Sequence, residues 1–187
     1  MVITNSEEIA KYVRTARNHG LTKTLSNRFS SGKPWDYDVI EPGYNYRLDE
    51  IRSALGINQL KRVKKLNLLR KNAAKYYYLK LKDINEIEIP EILNYNNHVY
   101  HLYIIKIKKN YKMSRDDLFK KLLREGIRTS VHYKPLHKFT MFVKKGKKYD
   151  SVLKSEKAYS EIISLPMYPS ITKKEQDIVI ETIKNSL

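Results

Sequence analysis

Two short segments concentrate the side chains that could do chemistry. The first, Glu41-Pro42-Gly43-Tyr44-Asn45-Tyr46-Arg47-Leu48, sets an amide and a guanidinium immediately before a predicted helix N-terminus, where anions are favoured. Arg47 can grip a phosphate or a carboxylate with two parallel hydrogen bonds. The same residues also fit a plainer reading, in which the tyrosines anchor the loop and Arg47 pairs with Asp49 or Glu50. The second segment, Ser130-Val131-His132-Tyr133-Lys134-Pro135-Leu136-His137, ends a predicted strand in protonatable rings and turns at proline. That position suits substrate contact. The alternative packs Tyr133 and leaves the histidines on the surface.

Other chemistries are excluded or disfavoured by residue type. There is no cysteine, which removes disulfides, thiolate zinc sites and a cysteine nucleophile together. The histidine pairs His98/His101 and His132/His137 do not make a metal site: three-residue spacing on a strand turns the first pair to opposite faces, and no carboxylates complete either set. The six glycines are too dispersed for a P-loop or a dinucleotide-binding fingerprint. No apolar run approaches the roughly 20 residues that cross a bilayer, and residues 1–5 lead into charge rather than a signal-peptide core, so a cytoplasmic protein without membrane contact is expected. The formal charge of +17 invites an anionic partner such as nucleic acid. The lysines, however, are spread over nearly every segment, with modest clusters at Lys106/Lys108/Lys109 and at 144–148. No nucleic-acid-binding module accompanies them.

The elements that must position these residues follow from local patterns. Residues 1–4 read as a short β-branched strand, and Asn5 with Glu8 three residues on opens a helix that His19-Gly20 closes. From 21 to 43 periodicity is lost among Ser30-Ser31-Gly32, Pro34 and Pro42, giving a long loop that serves a function or covers something. Asp49 caps a helix over residues 50–82, which has helical apolar spacing, no proline and a place for a bend at Gly56. It reads as a connector between two domains. Strands are expected at 87–89, 99–108 and 127–133; Ser114 with Asp117 opens a helix that Gly126 ends. A further helix covers about 151–163, 165–169 turn, and the capping box Thr172-Lys173-Lys174-Glu175 starts the last helix. Helices alternating with strands predict a small α/β domain.

Taken together, the segments resemble DegT/DnrJ/StrS-type sugar aminotransferases, fold type I enzymes that use pyridoxal phosphate to aminate nucleotide-linked keto-sugars. The matching pieces occur in family order: residues 1–4 before a charged helix, Arg17-Asn18-His19-Gly20, Gly43 to Leu48, Ser53-Ala54-Leu55-Gly56, His98 to Tyr103, His132-Tyr133-Lys134-Pro135-Leu136-His137, and Ser164-Leu165-Pro166-Met167-Tyr168-Pro169. They span almost the whole chain. Asp49 stands where the family commonly has threonine or serine, and it caps a helix equally well.

The resemblance implies the C-terminal part of an α/β fold type I transferase. Residues 1–49 would be the remnant of the large cofactor-binding domain, 50–82 the interdomain helix and 83–187 the small C-terminal α/β domain. It also implies that Asn45 reaches across a dimer interface to the cofactor phosphate and that His132, Tyr133 and His137 lie near the sugar nucleotide. Arg47 is carried with them as a substrate-binding guanidinium. The Schiff-base lysine and the carboxylate that pairs with the pyridinium nitrogen lie, in the family, upstream of the segment matching Met1. No lysine here occupies the lysine motif, so no catalytic residue is assigned. Pyridoxal phosphate would be bound mainly by the absent N-terminal half, with glutamate and a nucleotide sugar as substrates and a homodimer or that missing half as partner. Two alternatives stay open: a non-catalytic nucleotide-sugar-binding or dimerisation remnant, and a basic nucleic-acid-binding domain. Without its neighbouring sheet, the N-terminal region should show an exposed strand edge at 2–4 and a weakly supported loop over 21–43.

Overall fold

The computed structural model describes residues 1–22, 27, 30, 32–91, 98–144 and 152–187. The chain forms two compact units, Met1–Lys61 and Arg62–Leu187.

In the first unit, helix α1 spans Glu7–Ala16. Its cap is Ser6 rather than the expected Asn5: the Ser6 hydroxyl accepts from the Ile9 amide, while the Ser6 amide donates to Thr4 Oγ1. Acidic Glu7 and Glu8 in the first turn and Arg14 in the last complement the helix dipole. The expected strand at residues 1–4 does not form. A strand needs a ladder partner, and Met1, Val2 and Ile3 stand exposed instead.

The described part of the 21–43 loop is closed by backbone pairing. Leu21 bridges Val39, Thr22 N–H donates to Asp38 O (3.0 Å), and Ile40 N–H donates to Gly20 O (3.1 Å). Ser31 and several neighbours lie outside the described residues.

Helix α2, Glu50–Leu81, begins as expected with Asp49 Oδ1 accepting from the Arg52 amide at 2.8 Å. It passes from the first unit into the second. Its buried residues, Ala73, Ala74, Tyr77 and Leu81, all lie in its last third.

The second unit is built on a three-stranded antiparallel sheet in the order β1-β2-β3: Ile87–Glu88, Tyr103–Ile107 and Ile162–Leu165. The register sets Ile87 opposite Ile107, Ile105 opposite Ile163 and Tyr103 opposite Leu165. Side-chain alternation then buries Tyr103, Ile105 and Ile107 on one face. There they join Tyr77 and Leu81 of α2, Leu118 and Leu122 of α3 (Arg115–Arg124) and Val179, Ile180 and Ile183 of α6 (Lys173–Lys184) in one core. The result is the mixed helix-and-sheet architecture expected.

Both caps predicted within this unit form. The Ser114 hydroxyl accepts from the Asp117 amide before α3, and Thr172 with Glu175 makes the reciprocal capping box of α6. Gly126, at φ +77°, ends the α3 segment in the left-handed conformation that favours glycine.

In this unit one strand and one helix expectation are corrected. The 127–133 segment contributes one bridge, Ser130 to Ser164, in place of a strand. The helix expected to reach residue 163 is α5, Leu153–Glu161, and Ile162–Leu165 is the third strand. Ser151, where that helix was expected to start, lies outside the described residues, as do Lys145, Lys147 and Lys148 of the basic cluster. Two short helical turns, a 3-10 turn at Leu136–Lys138 and α4 at Thr140–Lys144, complete the elements. Among the described residues no helix is long and apolar enough to cross a membrane.

Candidate functional site

The two segments singled out in the sequence fall in different units. In Met1–Lys61, the segment around Asn45 is fastened by its backbone. Tyr44 N–H donates to Ala16 O (2.6 Å), His19 N–H to Tyr44 O (3.0 Å) and Tyr46 N–H to Arg17 O (2.9 Å), and Asn18 bridges Asn45. His19 and Gly20, with φ of 59° and 71°, turn the chain after α1 so that this pairing is possible.

The approach is too close for any side chain at Gly43, whose Cβ would sit 2.1 Å from the Gly20 nitrogen. Tyr44 and Tyr46 stack with centroids 4.9 Å apart and planes 3° from parallel. Asn45, between them, and Arg47, just beyond, both have exposed side chains. The plainer expectation that Arg47 pairs with Asp49 or Glu50 is not met among the described residues. Asp49 instead pairs with Arg52 at 3.2 Å, and among the described residues Arg47 makes no ion pair. An amide and a guanidinium are therefore held out on a hydrogen-bonded backbone, and among the described residues no carboxylate pairs with the guanidinium. That donor set fits a phosphate or a carboxylate.

In Arg62–Leu187, the 130–137 segment is attached to β3. Ser130 and Ser164 exchange both main-chain hydrogen bonds, at 3.2 and 2.7 Å, and His132 Nδ1 lies 2.8 Å from Ser164 Oγ. His132 is half-buried and meets Tyr133 edge-on, with centroids 4.8 Å apart. The peptide bond between the two is cis. Tyr133 is 73% exposed, so the expectation that it packs gives way to a ring presented at the surface.

His137 differs from these two. Its Nε2 is 2.7 Å from Glu156 Oε1, tying the 3-10 turn to α5, and Lys138 adds a contact of 3.6 Å to the same carboxylate. The hydrogen bond from His137, helped by the charge of Lys138, holds the Glu156 carboxyl below its usual range against partial desolvation. Ser164 and Glu156 are the residues that sequence reasoning missed, together with the pairing of Ser130. Ser164 was within a noted motif, but nothing local marks its hydroxyl as a partner of His132.

His98 and His101 precede β2 rather than entering it. His98 Nδ1 accepts from the Tyr100 amide at 2.9 Å. Among the described residues no three His, Asp or Glu side chains gather into a group that could hold a metal ion. Nor is any described lysine buried. A lysine that holds a carbonyl cofactor is ordinarily desolvated so that its amine is neutral. The exposed Asn45 amide can donate to a phosphate such as that of pyridoxal phosphate, and the Arg47 guanidinium can grip a second, substrate anion.

Known proteins match over the same extent. The spore coat polysaccharide biosynthesis protein SpsC of Bacillus subtilis is 32% identical over 188 residues, covering 99% of this chain and 48% of that protein. Among solved structures, the Helicobacter pylori aminotransferase PseC, involved in the biosynthesis of pseudoaminic acid, superposes with a TM-score of 0.85 at 26% identity, over 98% of this chain and 47% of its own. A putative sugar aminotransferase, Spr1654 of Streptococcus pneumoniae, in its PMP form, gives a TM-score of 0.85 at 27% identity over 98% and 46%. The chain spans about half the length of the curated relatives it matches. The family model for DegT/DnrJ/EryC1/StrS aminotransferases covers residues 1–184, and with the ordered motifs and the fold, this chain belongs to that family.

Proposed function

We propose that this chain is the C-terminal portion of a pyridoxal-phosphate-dependent aminotransferase acting on nucleotide-linked keto-sugars, with glutamate as amino donor. It would carry the phosphate-contacting and substrate-side residues but not the lysine that holds the cofactor. The observation that carries this reading is the pair Asn45 and Arg47, exposed on a backbone clamped at Ala16, Arg17 and His19 within a segment that matches the family.

When bound, the cofactor acts as an electron sink for the substrate amine. This chain's own residues bind and orient. The Asn45 side-chain N–H donates to the cofactor phosphate of a neighbouring subunit, and the guanidinium fork of Arg47 grips a substrate anion. In the second unit, Tyr133 offers an exposed ring for stacking on a planar group of the sugar nucleotide, and His132 offers its Nε2. His137 serves the same surface indirectly, since Glu156 already engages its Nε2 and the pair fixes the turn that follows Tyr133. The apolar side chains exposed in Met1–Lys61, Trp35, Leu48, Ile51 and Leu55 among them, suit coverage by the rest of a large domain and a second subunit.

Incubation of the 187-residue chain with pyridoxal phosphate, borohydride reduction and peptide mapping tests the assignment. No single lysine should carry a stoichiometric adduct. One lysine modified to completion would mean that this chain holds the cofactor covalently, and the division of labour proposed here would be wrong.

A further inference from the structure

Three polar side chains are buried among the described residues: Ser164, Gln176 and Ser186. Two are accounted for by hydrogen bonds to the main chain. The Gln176 amide donates to Ala73 O at 2.9 Å, and Ser186 Oγ donates to Thr182 O at 2.6 Å. Ser164, 4% exposed, is different, because its hydroxyl meets a titratable ring, His132 Nδ1, at 2.8 Å. The hydroxyl is not needed to join the two segments, since the main chains of Ser130 and Ser164 already exchange both hydrogen bonds.

Hydrogen-bond accounting assigns the proton. Among the described residues the only acceptor within reach of the buried Ser164 hydroxyl is Nδ1. Were Nδ1 to carry the proton and donate to Oγ, the hydroxyl hydrogen would be left buried without a partner, which is the costlier arrangement. With Oγ–H donating to Nδ1, every group in the pair is satisfied, and the imidazole is the Nε2–H tautomer.

We propose that Ser164 is a positioning residue that donates to Nδ1 of His132 and locks the ring as the neutral Nε2–H tautomer, leaving Nε2–H to donate to an oxygen of the bound substrate. The last step rests on the substrate-side reading of His132. The tautomer does not. Ser164 lies on β3, which is paired along its length with β2, so the ring inherits the rigidity of the sheet.

Long-range proton–nitrogen correlation spectra of the 15N-labelled full chain above the imidazole titration, with His132→Gln for assignment, test this directly. The wild type should show His132 predominantly protonated at Nε2, and Ser164→Ala should move it to a tautomer mixture while the Ser130 amide shift stays in place. A ring protonated at Nδ1 in the wild type, or a tautomer population unchanged in Ser164→Ala, overturns the proposal. If the alanine variant does not fold, the wild-type tautomer alone decides. Addition of UDP-N-acetylglucosamine should then shift the His132 Nε2 signal in the wild type, and binding should weaken severalfold in Ser164→Ala. The expected tautomer with no response to the nucleotide sugar would sink the substrate-side reading and the delivery of Nε2–H, and leave the lock itself standing.

Discussion

Met1–Lys61 and Arg62–Leu187 are held together by different means. The second unit has a continuous core in which Tyr77, Tyr103, Ile105, Leu118, Leu122, Ile163 and Ile183 are essentially inaccessible. The first has Ala16 as its one buried hydrophobic residue among those described. It depends instead on backbone hydrogen bonds around Gly20 and Gly43, with large apolar side chains such as Trp35, Tyr46 and Ile51 facing outward. Charge divides the same way: Met1–Lys61 is close to neutral, and nearly all of the +17 excess lies in Arg62–Leu187. A near-neutral surface rich in apolar groups suits contact with protein, whereas a charged surface over a filled core suits water. Burial of core side chains stabilises the second unit at about 1.5–3 kcal/mol each, a source the first almost lacks. Amides of β2 should therefore exchange far more slowly than those of residues 1–50, and equal protection would remove the contrast.

Substitutions can break or sharpen it. Tyr77→Ala should cost the most, about 3–5 kcal/mol, because it opens a cavity at the centre of the core and removes the hydrogen bond to Pro166 O. The check is a fall in the urea midpoint followed by a probe in the second unit. Gly43→Ala should cost about 1–3 kcal/mol, felt within the first unit, because its Cβ meets the backbone of His19 and Gly20. Faster amide exchange at His19, Tyr44 and Tyr46, with β2 unchanged, is the expected signature. Thr172→Ala should destabilise the second unit by about 1 kcal/mol through loss of the capping box of α6, seen as a modest drop in melting temperature.

Acid should act more gently. The Glu175 carboxyl is held below its usual value, first by the Thr172 main-chain hydrogen bond and then by the Thr172 hydroxyl, and Glu156 is held down chiefly by His137. Depressed carboxyls contribute stability that is fully present above the ordinary value of 4.5 and is lost as pH falls through the lowered one. Unfolding midpoints of the second unit should thus hold steady down to that range and decline below it. In Glu156→Gln the decline should be shallower. The smallest effect is expected at Ile51→Ala, 83% exposed on α2, which should stay within about 0.5 kcal/mol of the parent. A large loss there would show that the N-terminal half of α2 is already packed, and would remove the distinction between the units.

What the sequence determined by itself is what short-range physics controls. The Ser114 and Thr172 caps, the start of α2 at Asp49 and the stop at Gly126 each depend on groups within a few residues of one another, so their residue types suffice. Asn45 and Arg47 could be singled out by residue type as donors next to a helix start, but what holds their segment is pairing with Ala16, Arg17 and Asn18, far earlier in the chain. The rest needed tertiary structure. Ile162–Leu165 continues the apolar pattern of α5 and becomes a strand only because the edge of Tyr103–Ile107 supplies its ladder. Residues 1–4 have strand-forming types but meet no such edge among the described residues. The hydroxyl of Ser164 acquires meaning only when the Ser130 bridge brings His132 against it, and Glu156 only when the turn after Pro135 brings His137 to α5. Partners distant in sequence are chosen by packing, and a hydrogen bond between them leaves no mark on either residue's neighbours.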